Sequence, residues 1–309
     1  MILSNFKLNN SKKVKITGVL ISFFLIFLAV LIISKLLFFE NFFLNTISNH
    51  KNTLRIIYSA FIQSTLSTFL SVVLGIYTGR AIYRQKLYFG KNLIIAFSFL
   101  AMIIPTTVAA LGILSIWGRK GYLREFLPDI LSDIFLPPPY GLFTVIIAHV
   151  FFNAPLVMKV TIFTLDNIPN KDWKLATLNS FKSRHYWKWL EWPAIRVIIP
   201  QIAGLIFLLC FTSFSIVLML GGGPKVTTLE LSIYTALKFS FDLPEAAKLC
   251  IIQLLFCGII LIFLGRFPLK EWTGDIINKE TFKRIDQKEI ISMITDFFAI
   301  SIFLIIVIL

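Results

Sequence analysis

Bond-making chemistry needs nucleophiles, acids, bases or metal ligands at workable spacing, and this sequence offers few. Its three cysteines, Cys210, Cys250 and Cys257, all stand inside apolar runs, where a thiol behaves as a small hydrophobe, and they form neither a metal-ligand spacing nor a disulfide framework. The cluster Gly221-Gly222-Gly223-Pro224 lacks the GxxxxGK(S/T) spacing of a phosphate cradle and reads as a turn after a helix. No acidic cluster or His/Glu constellation lies in or beside the apolar runs. Neither a catalytic residue, a cofactor nor a metal site is therefore expected. What remains is polar spacing: His149 and Asn153 are four apart with Phe152 beside them, and Gln63, Ser67 and Thr68 form a second stripe. Polar groups at bilayer depth cost free energy unless they face a partner or a water path, so both stripes either hydrogen-bond between helices or line a translocation path.

The elements that must position these residues are membrane spans. Of the 309 residues, 57% are hydrophobic and 15% charged, with 32 Phe, against about 45–50% and about 25% in a soluble domain. No stretch between the apolar runs reaches the roughly 50 residues of a small independent domain, so an attached soluble catalytic domain is excluded. Crossing about 30 Å of hydrocarbon takes about 20 apolar residues. Seven runs qualify, at about 16–36, 54–78, 92–116, 141–165, 196–220, 247–265 and 291–309, and the first reads as an uncleaved anchor. Within the third, Pro105 followed by Thr106 and Thr107 predicts a kink whose freed carbonyl the threonines re-satisfy.

Orientation follows from the cations. Of 30 Lys and Arg, the N-terminus and alternate loops hold 21 and the opposite loops nine, which places the N-terminus in the cytoplasm. The net charge of +14 is therefore topology and headgroup contact, and no nucleic acid partner is expected. Lys159 and Asp296, near span ends, are expected at the interface.

One inner loop, 166–194, carries two amphipathic helical patterns. In the first, Trp173, Ala176, Thr177 and Ser180 or Phe181 recur at helical spacing after Pro169. In the second, Ser183 is the expected N-cap, Tyr186, Trp189, Leu190 and Pro193 share one face, and Arg184, His185, Lys188 and Glu191 share another. Composition alone is consistent with a helix lying among lipid headgroups through Trp187, Trp189 and Trp192. The order of residues resembles the cytoplasmic loop of binding-protein-dependent ABC importer permeases: EAA, three residues, Gly, then about a dozen residues to Pro. Here Lys174-Leu175-Ala176, Ser180 and Pro193 occupy those positions, with the signature Glu and Gly replaced by Lys174 and Ser180. The strings His149–Pro155, Leu165–Pro169, Leu190–Pro193, Leu220–Pro224 and Thr227–Tyr234 are similar to the thiamine and thiamine pyrophosphate importer permeases, over about residues 54–266.

The resemblance implies an all-α integral membrane protein, an ABC importer type-1 transmembrane domain of six core helices plus a seventh C-terminal helix. It implies three parts: 1–53 (tail, first span and outer loop), 54–266 (permease domain with coupling loop 166–194) and 267–309 (linker and seventh span). It implies location in a bacterial cytoplasmic (inner) membrane, with cytoplasmic ATP-binding cassette subunits and an outer-surface or periplasmic substrate-binding protein as partners beside the lipid. On that reading Trp173, Ala176, Ser180 and Phe181 are contacts in the ATPase groove, Leu175 and Pro193 belong to the same loop, Lys174 and Glu191 are rim charges, and Gln63, His149, Phe152 and Asn153 are path candidates. Such permeases carry two similar halves, and this chain corresponds to the first. A separate chain, a second copy, or loss in an eroded, non-functional remnant are the three open accounts of the other. A ferric iron or polyamine permease of the same fold is the alternative.

Overall fold

The computed structural model describes Phe24, Phe27, residues 50–85, 91–126, 138–223 and 226–267, Asp286 and residues 289–308. The expected first span, apart from Phe24 and Phe27, lies outside the described residues. Among the described residues all regular structure is helical: α1 (His50–Arg84), α2 (Lys91–Ile103), α3 (Thr106–Trp117), α4 (Tyr122–Phe126), α5 (Leu142–Asp166), α6 (Asn170–Leu178), α7 (Ser183–Phe211), α8 (Ser215–Leu220), α9 (Leu229–Thr235), α10 (Leu243–Leu264) and α11 (Ile290–Ile308). Five of these are long and apolar enough to cross a membrane, and six spans result if the bent pair α2 and α3 counts as one.

The chain divides into two compact units. The larger is Arg55–Leu231 with Phe256–Leu309, and the smaller is Met1–Leu54 with Ser232–Leu255. In the smaller, a π-helical turn, Ala236–Ser240, ends at Phe241 in the left-handed region (φ +52°), and the Asp242 N–H returns to the Ala236 carbonyl at 2.9 Å. Asp242 Oδ1 then accepts from the Glu245 N–H at 3.0 Å, capping α10, and Lys248 pairs with Glu245.

The larger unit is built on α1, α5 and α7. Small residues let α1 and α5 touch: a Cβ on Gly75 would stand 2.8 Å from the Ala154 carbonyl oxygen, and one on Gly79 would stand 2.8 Å from that of Met158. Gly75-Ile76-Tyr77-Thr78-Gly79 is thus a GxxxG stripe that brings two backbones together where the hydrophobic effect between helices is absent. Around the crossing lie buried Val72, Ile76, Tyr83, Val157, Leu165, Ile195, Ile202 and Ile206. At 1.5 Å per residue the 35-residue α1 is about 50 Å long, well beyond the hydrocarbon thickness. Arg80 and Arg84, counted as loop cations from sequence, are helix residues with side chains only 12% and 1% exposed.

Two expected spans are broken. α2 and α3 meet at 111°, far sharper than a kink, with Pro105 extended (ψ 137°) between them. Thr106 and Thr107 are exposed. The turn is closed by backbone bonds, Ile104 N–H to the Leu100 carbonyl and Ala109 N–H to the Pro105 carbonyl, both 3.1 Å. The run 196–220 holds the end of α7, a non-helical Thr212–Phe214 segment and the short α8; α7 itself begins at Ser183, so the second helix of the hairpin and the span are one element.

Candidate functional site

The hairpin is anchored by aromatic packing. Trp173 on α6 lies 5.8 Å from Tyr186 on α7 and 5.8 Å from Tyr83 on α1, ring centre to ring centre, and Trp173, Ala176 and Tyr186 are buried. This corrects the expectation for Trp173 and Ala176: the apolar stripe of α6 faces its own chain because α1 and α7 supply the matching rings. The face left open carries Lys174, Leu175, Leu178 and Ser180, with Leu175 57% and Leu178 81% exposed. Phe181 packs half-buried on the same core.

Ser180 has φ +50°. Its N–H bonds the Thr177 carbonyl at 3.0 Å and the Phe181 N–H bonds the Ala176 carbonyl at 3.1 Å, which is the Schellman pattern ending α6. The left-handed cap is the physical reason a glycine suits this position, and here a serine bears the strain.

Glu191 is fully buried and pairs with Arg80 at 2.5 Å, so it is not a rim charge. The cause is a π-helical turn, Trp187–Glu191, inside α7: one extra residue rotates everything after it, and the regular 3.6 spacing that grouped Glu191 with Arg184 and Lys188 fails at this turn. Pro193, without an N–H, follows directly in the first turn of the regular helix. Ser183 is the first helical residue, not the cap, which is Lys182. The Ser183 hydroxyl accepts from Arg84 at 2.9 Å and from Arg80 at 3.2 Å. Arg80 also covers the Trp187 ring at 4.8 Å. Arg84 pairs with Asp296 on α11 at 3.3 Å, and Gln85 donates to Asp296 at 3.1 Å, so Asp296 is buried against its own chain. Lys159 remains exposed, its ammonium 4.5 Å from the Phe99 ring centre. The result is a charged clasp joining the hairpin to α1 and α11.

The second candidate lies midway along α5. Gln63 Nε2 donates to His149 Nδ1 at 2.8 Å and the Ser67 hydroxyl lies 3.2 Å from the same nitrogen. An amide nitrogen only donates, so Nδ1 accepts and the neutral ring carries its proton on Nε2. His149 Nε2 is buried and has no hydrogen-bond partner among the described residues. Asn153 donates to Cys210 Sγ at 3.4 Å. Interhelical bonding and cleft lining, weighed as alternatives from sequence, coincide: His149, Phe152 and Asn153 line a cleft of about 440 Å³ whose other walls are the α2–α3 break (Met102, Thr106) and the α7–α8 break (Thr212–Ser215). Gln63 stands behind it, fully buried.

Both breaks meet at this cleft. Irregular backbone at bilayer depth is tolerated where protein or a water-filled cavity satisfies it. The fully buried Thr228 does part of this: its hydroxyl donates to the Ser213 carbonyl at 3.0 Å and accepts from the Leu231 N–H at 3.3 Å, capping α9.

The helices define a multi-pass membrane protein that shares the fold of an ABC importer's membrane domain. The solved bacterial ABC transporter "involved in the import of the acidic polysaccharide alginate" shares it with a TM-score of 0.63 at 16% identity, over 79% of this chain and 90% of that one. In sequence the chain is similar to the thiamine transport system permease protein ThiP of Escherichia coli, 41% identical over 205 residues (66% of this chain, 38% of that protein), and of Haemophilus influenzae, 38% over 215 residues (70% and 40%). The ferric transport system permease protein FbpB of Actinobacillus pleuropneumoniae is 26% identical over 211 residues (68% and 29%). The chain thus spans about two fifths of the thiamine permeases it matches. No family model matches it.

Proposed function

We propose that this chain is a permease half of a thiamine or thiamine pyrophosphate ABC importer in a bacterial inner membrane. The observation that carries the reading is the 41% identity to a thiamine permease over 205 residues, against 26% to a ferric permease over a similar length. Residues 54–266 form the permease domain and hold five of the six core helices, the N-terminal anchor at about 16–36 being the other, and a seventh helix follows at 290. The N-terminus and the hairpin are cytoplasmic. The hairpin is the coupling element for a separate ATP-binding cassette subunit: Lys174, Leu175 and Ser180 offer the contact surface, while Trp173, Ala176, Phe181, Glu191 and Pro193 hold it in place. Closure of the ATPase would pass through α6 and the continuous α7 into the membrane as rigid-body rocking. Gln63, His149, Phe152 and Asn153 belong to the translocation path, completed by a second permease half or a second copy. An outer substrate-binding protein delivers the ligand.

The test is ATPase activity of the complex reconstituted in lipid with its ATPase and binding protein. Stimulation by thiamine or thiamine pyrophosphate and none by ferric iron is expected; stimulation by ferric iron alone would overturn the assignment.

A further inference from the structure

The cleft at the two helix breaks has a composition that sorts ligands. Among the described residues its lining contains no Asp, Glu, Lys or Arg. Polar groups come from His149, Asn153 and the hydroxyls of Thr106, Thr212, Ser213 and Ser215, and aromatic faces from Phe152 and Phe214. His149 brings a buried nitrogen with no protein partner, which costs free energy unless a ligand or water engages it. A diphosphate is gripped by side-chain cations or a metal, and ferric iron by several hard anionic ligands; among the described residues this lining supplies neither, and the helix starts at Thr106 and Ser215 offer an anion backbone N–H groups alone. An aminopyrimidine edge suits neutral donors and acceptors, and a thiazolium cation suits aromatic faces.

We infer that the cleft between the α2–α3 and α7–α8 breaks is a transit site that recognises the ligand through its aromatic heterocycle, the part that thiamine and thiamine pyrophosphate share. This rests on the transport reading above and adds what the site recognises. Non-helical segments from two spans converging on one mid-membrane cleft are the backbone arrangement that lets side chains and freed carbonyls reach a passing solute.

The experiment is uptake into proteoliposomes holding the complete importer, with thiamine and thiamine pyrophosphate measured separately and each variant compared with the parent, so that the binding protein's own preference cancels. His149→Phe and, as a milder change, Thr212→Val should reduce transport efficiency for both ligands by the same factor, about tenfold for His149→Phe, the equivalent of about 1.4 kcal/mol. Thr106→Lys puts a cation at the exposed lip of the cleft. It should lower thiamine uptake and shift the thiamine to thiamine pyrophosphate ratio at least fivefold towards the phosphate, whereas Thr106→Asp should shift it the other way. A change common to all variants through misfolding leaves that ratio fixed. An unmoved ratio in both charge variants, or unequal losses in His149→Phe, would overturn the inference. If the unmodified complex moves neither compound, the transport reading itself fails, which is a separate outcome.

Discussion

Two side chains of the hairpin bear strain or burial that a substitution can release or expose. Ser180 holds a left-handed conformation that costs an L-residue about 1 kcal/mol and glycine almost nothing. Ser180→Gly is therefore expected to steady the end of α6, slowing hydrogen exchange at the Ser180 and Phe181 amides about fivefold, while Ser180→Val, β-branched, speeds it. Glu191 shows the opposite economy. Its carboxylate is fully buried against Arg80, and removing one partner of a buried pair leaves the other charge uncompensated, at about 3–5 kcal/mol. Glu191→Ala should shorten the half-life of the purified protein in detergent sharply. Arg80→Met with Glu191→Leu should recover much of it, since an apolar pair of similar volume leaves no orphaned charge; equal loss in both variants would show that the pair is not the anchor.

At the scale of elements, the tightest constraint is the α1–α5 crossing. A side chain at Gly75 meets Val157 and the Ala154 backbone, so Gly75→Ala should cost about 1–3 kcal/mol by overpacking and Gly75→Leu should prevent the helices from closing. Resistance of the membrane-embedded protein to proteolysis reads both, while Leu at Gly112, where nothing lies within 4 Å of a Cβ, should change neither. The positions of α1, α5, α10 and α11 were legible from apolar run length, because a bilayer fixes how many residues a span needs. What stayed hidden were departures from a regular helix. The break at Pro105 was expected as a kink and is a 111° turn, and the gap after Phe211 is closed by Thr228, a partner 15 residues away that no local pattern indicates. The π-helical turn shifted the phase of α7, so Glu191 was assigned to the wrong face while Tyr186, before the turn, was placed correctly. Gly75 and Gly79 carried a signal, small residues four apart in an apolar run, that could have announced the crossing. The His149 and Asn153 stripe was readable because its spacing needs only a regular α5.

For the whole molecule, the decisive question is where force from an ATPase would enter. Trp173 and Tyr186, which made the hairpin conspicuous in sequence, hold it to α1 and α7, so on the proposed reading docking would fall to the residues left outside. Leu175 and Leu178 stand on one turn of α6 beside the Schellman cap, far more exposed than an isolated structural leucine needs to be. Leu178 is absent from the sequence reading because it falls off the helical stripe of Trp173, Ala176, Thr177 and Ser180 or Phe181 and outside the three-residue motif at Lys174–Ala176. A small apolar knob ringed by Lys171, Lys174 and Asn179 has the anatomy of an interface centre with a polar rim. Leu178→Glu should therefore weaken association with the ATPase subunit at least tenfold in a pull-down or titration, and Lys174→Glu should change it by no more than a few-fold, since rim charges are screened. Insertion and protease resistance should be unaffected by Leu178→Glu, because that side chain is 81% exposed. If Leu178→Glu associates as well as the parent while Trp173→Ala does not, the hairpin engages its partner through the inner face, and the rigid-body route from α6 into α7 would have to be abandoned.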